Sequence, residues 1–235
     1  MFVCDTRKPK MDKKLLEYLS GYITPQRLEL YNKVLATRTR YLTVVLEDIF
    51  QAQNASAVLR TCDCFGVQDV HIIENRNEFK VNREIAMGSS KWLTMKKYNG
   101  AENGNLEVIR KLKAENYRIV ATTPHLNDQE LPDFDLSKGK TALVFGSELP
   151  GITDSIINEA DEFLKIPMYG FTESFNISVS AAIILHHLTL KMRQDNNIDW
   201  RLSEQESDEI KLEWIRKGIK RPDLLEKRFL KGNIS

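Results

Sequence analysis

The chain has 235 residues, 42% of them hydrophobic and 29% charged, a globular balance that excludes a disordered or fibrous protein. No apolar run reaches the ~18 residues of a membrane helix. "MFVCDTRKPKMDKK" lacks the apolar stretch of a signal peptide, so a cytoplasmic protein with no membrane partner is expected. The formal charge of +1 is unevenly spread: residues 1–40 carry net +5, residues 211–235 net +5 and the remainder net −9. Two basic ends suit either a polyanion or simple solvated helix faces.

In chain order, "DKKLLEYLS" and "TPQRLELYNKVLATR" read as short helices, the second with Thr24 as N-cap and Pro25 in its first turn. "YLTVVLEDI" is a buried strand, "NASAVLRTCDCFGV" a helix stopped by Gly66, and "VHII" a strand. "LTMKKY", "RIVATT", "TALVFG" and "EFLKIPM" are further strands. Between them lie an amphipathic helix, "NLEVIRKLKAENY", and a short one, "TDSIINEA", capped by Thr153. A long helix runs from near Ser174 to about Gln194. Alternating strands and helices predict an α/β domain with a mainly parallel sheet flanked by helices, binding its ligand at the strands' carboxyl ends. The polar run after Asp195 leads into a capped helix and one started by Pro222; Trp200, Trp214 and Phe229 are expected to dock this tail on the core.

Cys4, Cys62 and Cys64 are too few for a disulfide framework, and His71, His125, His186 and His187 follow no ligand spacing. Without a second cysteine pair no metal site is expected, and buried thiols are. "GSELPGIT" spaces Gly146 and Gly151 like a phosphate-binding loop, but Ile152 stands where the lysine belongs and Glu148 puts a carboxylate inside. A phosphate cradle depends on that lysine, so triphosphate hydrolysis is rejected. Asn54 is an N-cap candidate; Arg60, six residues on and about 600° around a helix, faces elsewhere, so a shared site requires Asn54 to lie in the preceding loop. In "PMYGFTESFNISVSAAIIL" a glycine turn precedes Asn176, Ser178 and Ser180, at a helix start whose N–H groups attract polar ligand groups.

Taken together and in order, "NASAVLRTCDCFGV", "LVFGSELPGIT" and "IPMYGFTESFNISVSAAIIL" resemble the three motifs of the SpoU branch of the SPOUT RNA methyltransferases, over roughly residues 41–194. "MGSSKW" (87–92) is similar to the family's Gly-Ser-x-x-Trp segment. The resemblance implies a deep C-terminal trefoil knot, bound S-adenosylmethionine, a homodimer and 2′-O-methylation of an RNA ribose. The closest pattern is that of members acting on guanosine 18 in the tRNA D-loop. It implies catalytic roles for Asn54, Arg60, Glu148, Ser174 and Asn176, and cofactor contacts from Thr122, Gly146, Ile166, Met168 and Phe175. RNA contacts would come from Lys91 and, in the basic ends, from Lys8, Lys10, Arg38 and Arg40. Helical extensions at 1–40 and 195–235 would flank a core at 41–194. Ribosomal RNA, the tRNA wobble nucleotide and a non-catalytic RNA-binding protein are the competing expectations.

Overall fold

The computed structural model describes residues 13–99, 101–124, 129–147 and 150–232. Seven strands form one all-parallel sheet: β1 (Leu42–Glu47), β2 (Asp69–Glu74), β3 (Thr94–Asn99), β4 (Arg118–Thr122), β5 (Gln129–Glu130), β6 (Thr141–Phe145) and β7 (Glu162–Lys165). Their spatial order is β3-β2-β1-β6-β4-β7-β5. The helices are α1 (Lys13–Ser20), α2 (Pro25–Leu35), α3 (Ala52–Phe65), α4 (Arg83–Ala86), α5 (Ala101–Ala114), α6 (Asp154–Ile157), α7 (Ile177–Gln194), α8 (Glu204–Gly218) and α9 (Pro222–Gly232).

Alternation along β1 divides the core between the two faces of the sheet. Leu42, Val44 and Leu46 pack with Val58 and Leu59 of α3 and with Ile184 and Leu188 of α7. Val45 points the other way, to Ile109 and Leu112 of α5 and Ile156 of α6. Burial on both faces explains why "LTVVLE" and "TALVF" read as unbroken apolar runs. Gly66 ends α3 in the left-handed conformation, φ 79°, and lets the next amide reach back to Cys62 O at 2.9 Å.

The chain divides into two compact units, residues 38–201 around the sheet and a second made of residues up to 37 together with those from 202 on. In the second, Tyr31 meets Trp214 edge to face with ring centroids 5.5 Å apart, and Tyr18 meets Phe229 at 5.3 Å. Thr24 caps α2, and Ser203 and Glu206 form a reciprocal capping box on α8. Of the aromatics expected to dock the tail on the core, Trp200 packs in the core of the sheet unit. Trp214 and Phe229 pack against Tyr31 of α2 and Tyr18 of α1 within the second unit. Among the described residues no helix is long and apolar enough to cross a membrane.

His71 in β2 is buried, with its Nδ1 3.1 Å from Tyr98 Oη and the two rings stacked. Burial lowers its pKa to about 4, with Lys96 adding to the effect. An unfolded histidine titrates near ~6.5, so between these values the unfolded chain binds more protons and folding weakens as pH falls. Urea unfolding between about pH 7 and about pH 4 should show a loss on the order of 3 kcal/mol from this group. His71→Gln should flatten that part of the profile, and identical slopes for the two proteins would refute the assignment.

Candidate active site

The carboxyl ends of β4, β6 and β7 open into one cleft of about 430 Å³. Its floor is apolar, from Phe145, Leu164, Ile166 and Ile184, and its rim carries Ser147, Ser174 and Ser180. Thr122, at the end of β4, donates its hydroxyl to Val144 O at 2.8 Å and ties the two central strands together beneath the opening.

After β6 the backbone turns back on itself. A Cβ on Gly146 would fall inside the van der Waals envelope of the Gly151 carbonyl group and the Ile152 nitrogen, all backbone atoms that cannot rotate away. Gly151 itself has φ 93°, a conformation that favours glycine. Both glycines of "GSELPG" are therefore set by geometry, and Gly146 leaves the cleft lined with bare backbone. Glu148 lies outside the described residues.

Beside the cleft, the starts of α3 and α7 meet through an amide pair. Asn176 Nδ2 donates to Asn54 Oδ1 at 3.2 Å, and Asn54 Nδ2 donates to Gln51 Oε1 at 3.1 Å. Asn176 is the N-cap of α7: its Oδ1 accepts from Ser178 N at 2.9 Å and from Ser178 Oγ at 2.6 Å. Helix α7 thus begins at Ile177, three residues later than expected from Ser174, because Asn176 takes the cap and leaves Ser174 in the turn above the cleft. Asn54 is neither loop nor cap; Gln51 holds the N-cap position and Asn54 sits buried in the first turn of α3.

Ser174, Thr122, Gly146, Ile166, Met168 and Phe175 all line the cleft. Arg60 does not: it lies on the exposed side of α3, more than a turn beyond Asn54, with no side-chain hydrogen bond or ion pair to a described residue. Lys91 is exposed at the end of a 3-10 turn entered through Met87 and Gly88, both at positive φ. Arg38 is buried and ion-paired to Asp63, and Arg40 Nε reaches Asp69 Oδ1 at 3.2 Å, so both neutralise acids within the core unit. Lys8 and Lys10 lie outside the described residues. Sequence reasoning did not select Thr123, Ser147 or Lys165, which also line the cleft, nor the buried Glu47. The one available signal was a carboxylate closing the apolar run "LTVVLE".

Fold and cleft together define an open-sheet α/β protein with its cleft at the carboxyl ends of its strands, the place where such sheets bind ligands. The sequence matches the SpoU rRNA Methylase family over residues 41–186, and the chain belongs to that family. The tRNA (guanosine(18)-2′-O)-methyltransferase of Borreliella burgdorferi is 40% identical over 213 residues, 91% of this chain and 95% of that protein. Its namesake in Thermus thermophilus is 31% identical over 195 residues, 83% of this chain and 98% of the relative. The crystal structure of the A. aeolicus TrmH/SpoU tRNA modifying enzyme superposes with a TM-score of 0.74 at 29% identity, covering 83% of this chain and 98% of that one.

Gly146→Ala should lower stability by about 1–3 kcal/mol, the usual cost of forcing extra volume into a packed site. Gly170→Ala, whose nearest foreign atom is 4.0 Å from the added carbon, should be silent. Thermal unfolding of the two variants checks the contrast.

Proposed function

We propose that the protein methylates the 2′-hydroxyl of guanosine 18 in tRNA, using S-adenosylmethionine held in the cleft. The observation that carries this reading is the 40% identity, over nearly the whole length of both chains, to a protein named for that reaction. The cleft fits the group. Its apolar floor suits a purine and an aliphatic chain, and the bare backbone at Gly146 lets a ligand approach where a side chain would stand. Thr122, Gly146, Ile166, Met168 and Phe175 would hold it. When bound, the cofactor supplies an electrophilic methyl group on a sulfonium sulfur.

The remaining work falls to this chain's own residues. Asn54 and Asn176 fix each other's amides, so that Ser174, two residues before the cap, is carried on a rigid helix start at the cleft's edge. A guanidinium is a donor that does not act as a base in proteins, so the part given to Arg60 is to hold an RNA phosphate bidentately and orient the hydroxyl rather than to remove the proton. Because Arg60 stands apart from this chain's cleft, we assign completion of the site to a homodimer or to the bound RNA. Tyr169, Phe171 and Phe175, exposed beside the cleft, suit a surface that such a partner covers. A trefoil knot formed by the chain after β6 belongs to the same proposal, as do a cytoplasmic setting and tRNA contacts through Lys91 and the basic terminal helices. Ribosomal RNA is the second reading, favoured by the name of the family matched.

Incubation with labelled S-adenosylmethionine and total RNA, followed by mapping of 2′-O-methyl positions, should place the label at guanosine 18 of tRNA. Label confined to ribosomal RNA would overturn the choice of substrate. Arg60→Ala should lower transfer by about a hundredfold or more, as expected for a lost substrate-positioning group, while calorimetry shows cofactor binding retained. Substantial methylation by that variant would sink the role given to Arg60.

A further inference from the structure

Glu47, the last residue of β1, is only 1% exposed and does not line the cleft. Its carboxylate accepts from Thr153 N at 2.9 Å, Thr153 Oγ1 at 2.6 Å and Asn105 Nδ2 at 2.9 Å. Thr153 occupies the N-cap position of α6, yet it makes no side-chain cap bond and spends its hydroxyl on Glu47. It directly follows Pro150, Gly151 and Ile152, all three of which wall the cleft.

The donor set calls for a carboxylate. A backbone N–H, a hydroxyl and an amide NH₂ converge on its two oxygens, and Asn105 is turned to present its NH₂ because its Oδ1 already accepts from Asn75 at 2.8 Å. A glutamine here would aim its own NH₂ at one of those donors. Burial pushes the Glu47 carboxyl above its ordinary range, and the bonds from Thr153 pull it back. A chain that only needed packing at this point gains nothing by burying an acid. Asp48 extends the brace to the other neighbouring strand: held at φ 52°, it accepts Arg76 N and Asn77 N, each at 2.8 Å, in the loop after β2.

We infer that Glu47 is a positioning residue which, through Thr153, fixes the wall Pro150–Ile152 and thereby sets the affinity of the cleft for the methyl donor. The inference rests on the cleft being the cofactor site. Thr153→Val removes the hydroxyl at constant shape, Thr153→Ser keeps it, and Glu47→Gln keeps one acceptor.

Calorimetry with S-adenosylmethionine and steady-state kinetics should show Kd and KM for the cofactor raised roughly tenfold in Thr153→Val and Glu47→Gln, the scale of a lost charge-assisted hydrogen bond. KM for tRNA should stay within about twofold, and Thr153→Ser should restore cofactor affinity to within about twofold. A folded Thr153→Val protein that is less stable but binds cofactor like the wild type would overturn the inference; this variant decides the matter if Glu47→Gln does not fold. Failure of the wild type to bind S-adenosylmethionine would instead bring down the reading of the cleft itself, and this inference with it.

Discussion

Backbone rests against backbone where Gly146 meets Gly151 and Ile152, and most of the site depends on that approach. It requires an absent side chain at one position and a left-handed turn at another, so two glycines are fixed together. The return of the chain brings Pro150, Gly151 and Ile152 up as a wall beside the strand they have just left. The wall is tied through Thr153 to the carboxylate at the end of β1, next to β6 in the sheet, and it lines the same cleft as the apolar floor from Phe145, Leu164, Ile166 and Ile184.

The parallel sheet makes the arrangement possible. Every strand delivers its carboxyl end to the same side, so residues far apart in sequence, such as Thr122, Gly146 and Ile166, arrive at one opening. The two faces then contribute differently. The α3–α7 face supplies the Asn54–Asn176 pair, and the α5–α6 side supplies Asn105 and Thr153. Neither helix pair alone encloses a ligand.

Much of this was legible in the residues. Buried runs such as "TALVF" and the amphipathic "NLEVIRKLKA" declare strand and helix through burial and period, and Gly66 and Thr24 punctuate as their chemistry predicts. What was not legible depends on partners distant in sequence. Asparagine caps well, so Asn54 reads as a cap, but Gln51 occupies the N-cap position of α3 and the Asn54 amide has a partner 122 residues away in Asn176. Arg38 and Arg40 stand in a basic stretch of sequence, and only the fold brings Asp63 and Asp69 to them. Thr153 has the sequence of a cap and the position of one, and only the buried carboxylate of β1 reveals where its hydroxyl goes. Local chemistry predicts which groups need a partner; the fold decides which partner they get.

The pairing of Tyr31 with Trp214 has a consequence in the order of synthesis. Leu19, Tyr31 and Leu35 leave the ribosome before the sheet, while α8 and α9, the other half of their unit, emerge only after it. Domains form as their parts emerge, first residues first. Helices α1 and α2 must therefore wait, apolar faces uncovered, while the whole sheet between them and their partners is made. That unit can close only on a chain synthesised through α8 and α9, so a product released before them holds a sheet but no completed second body.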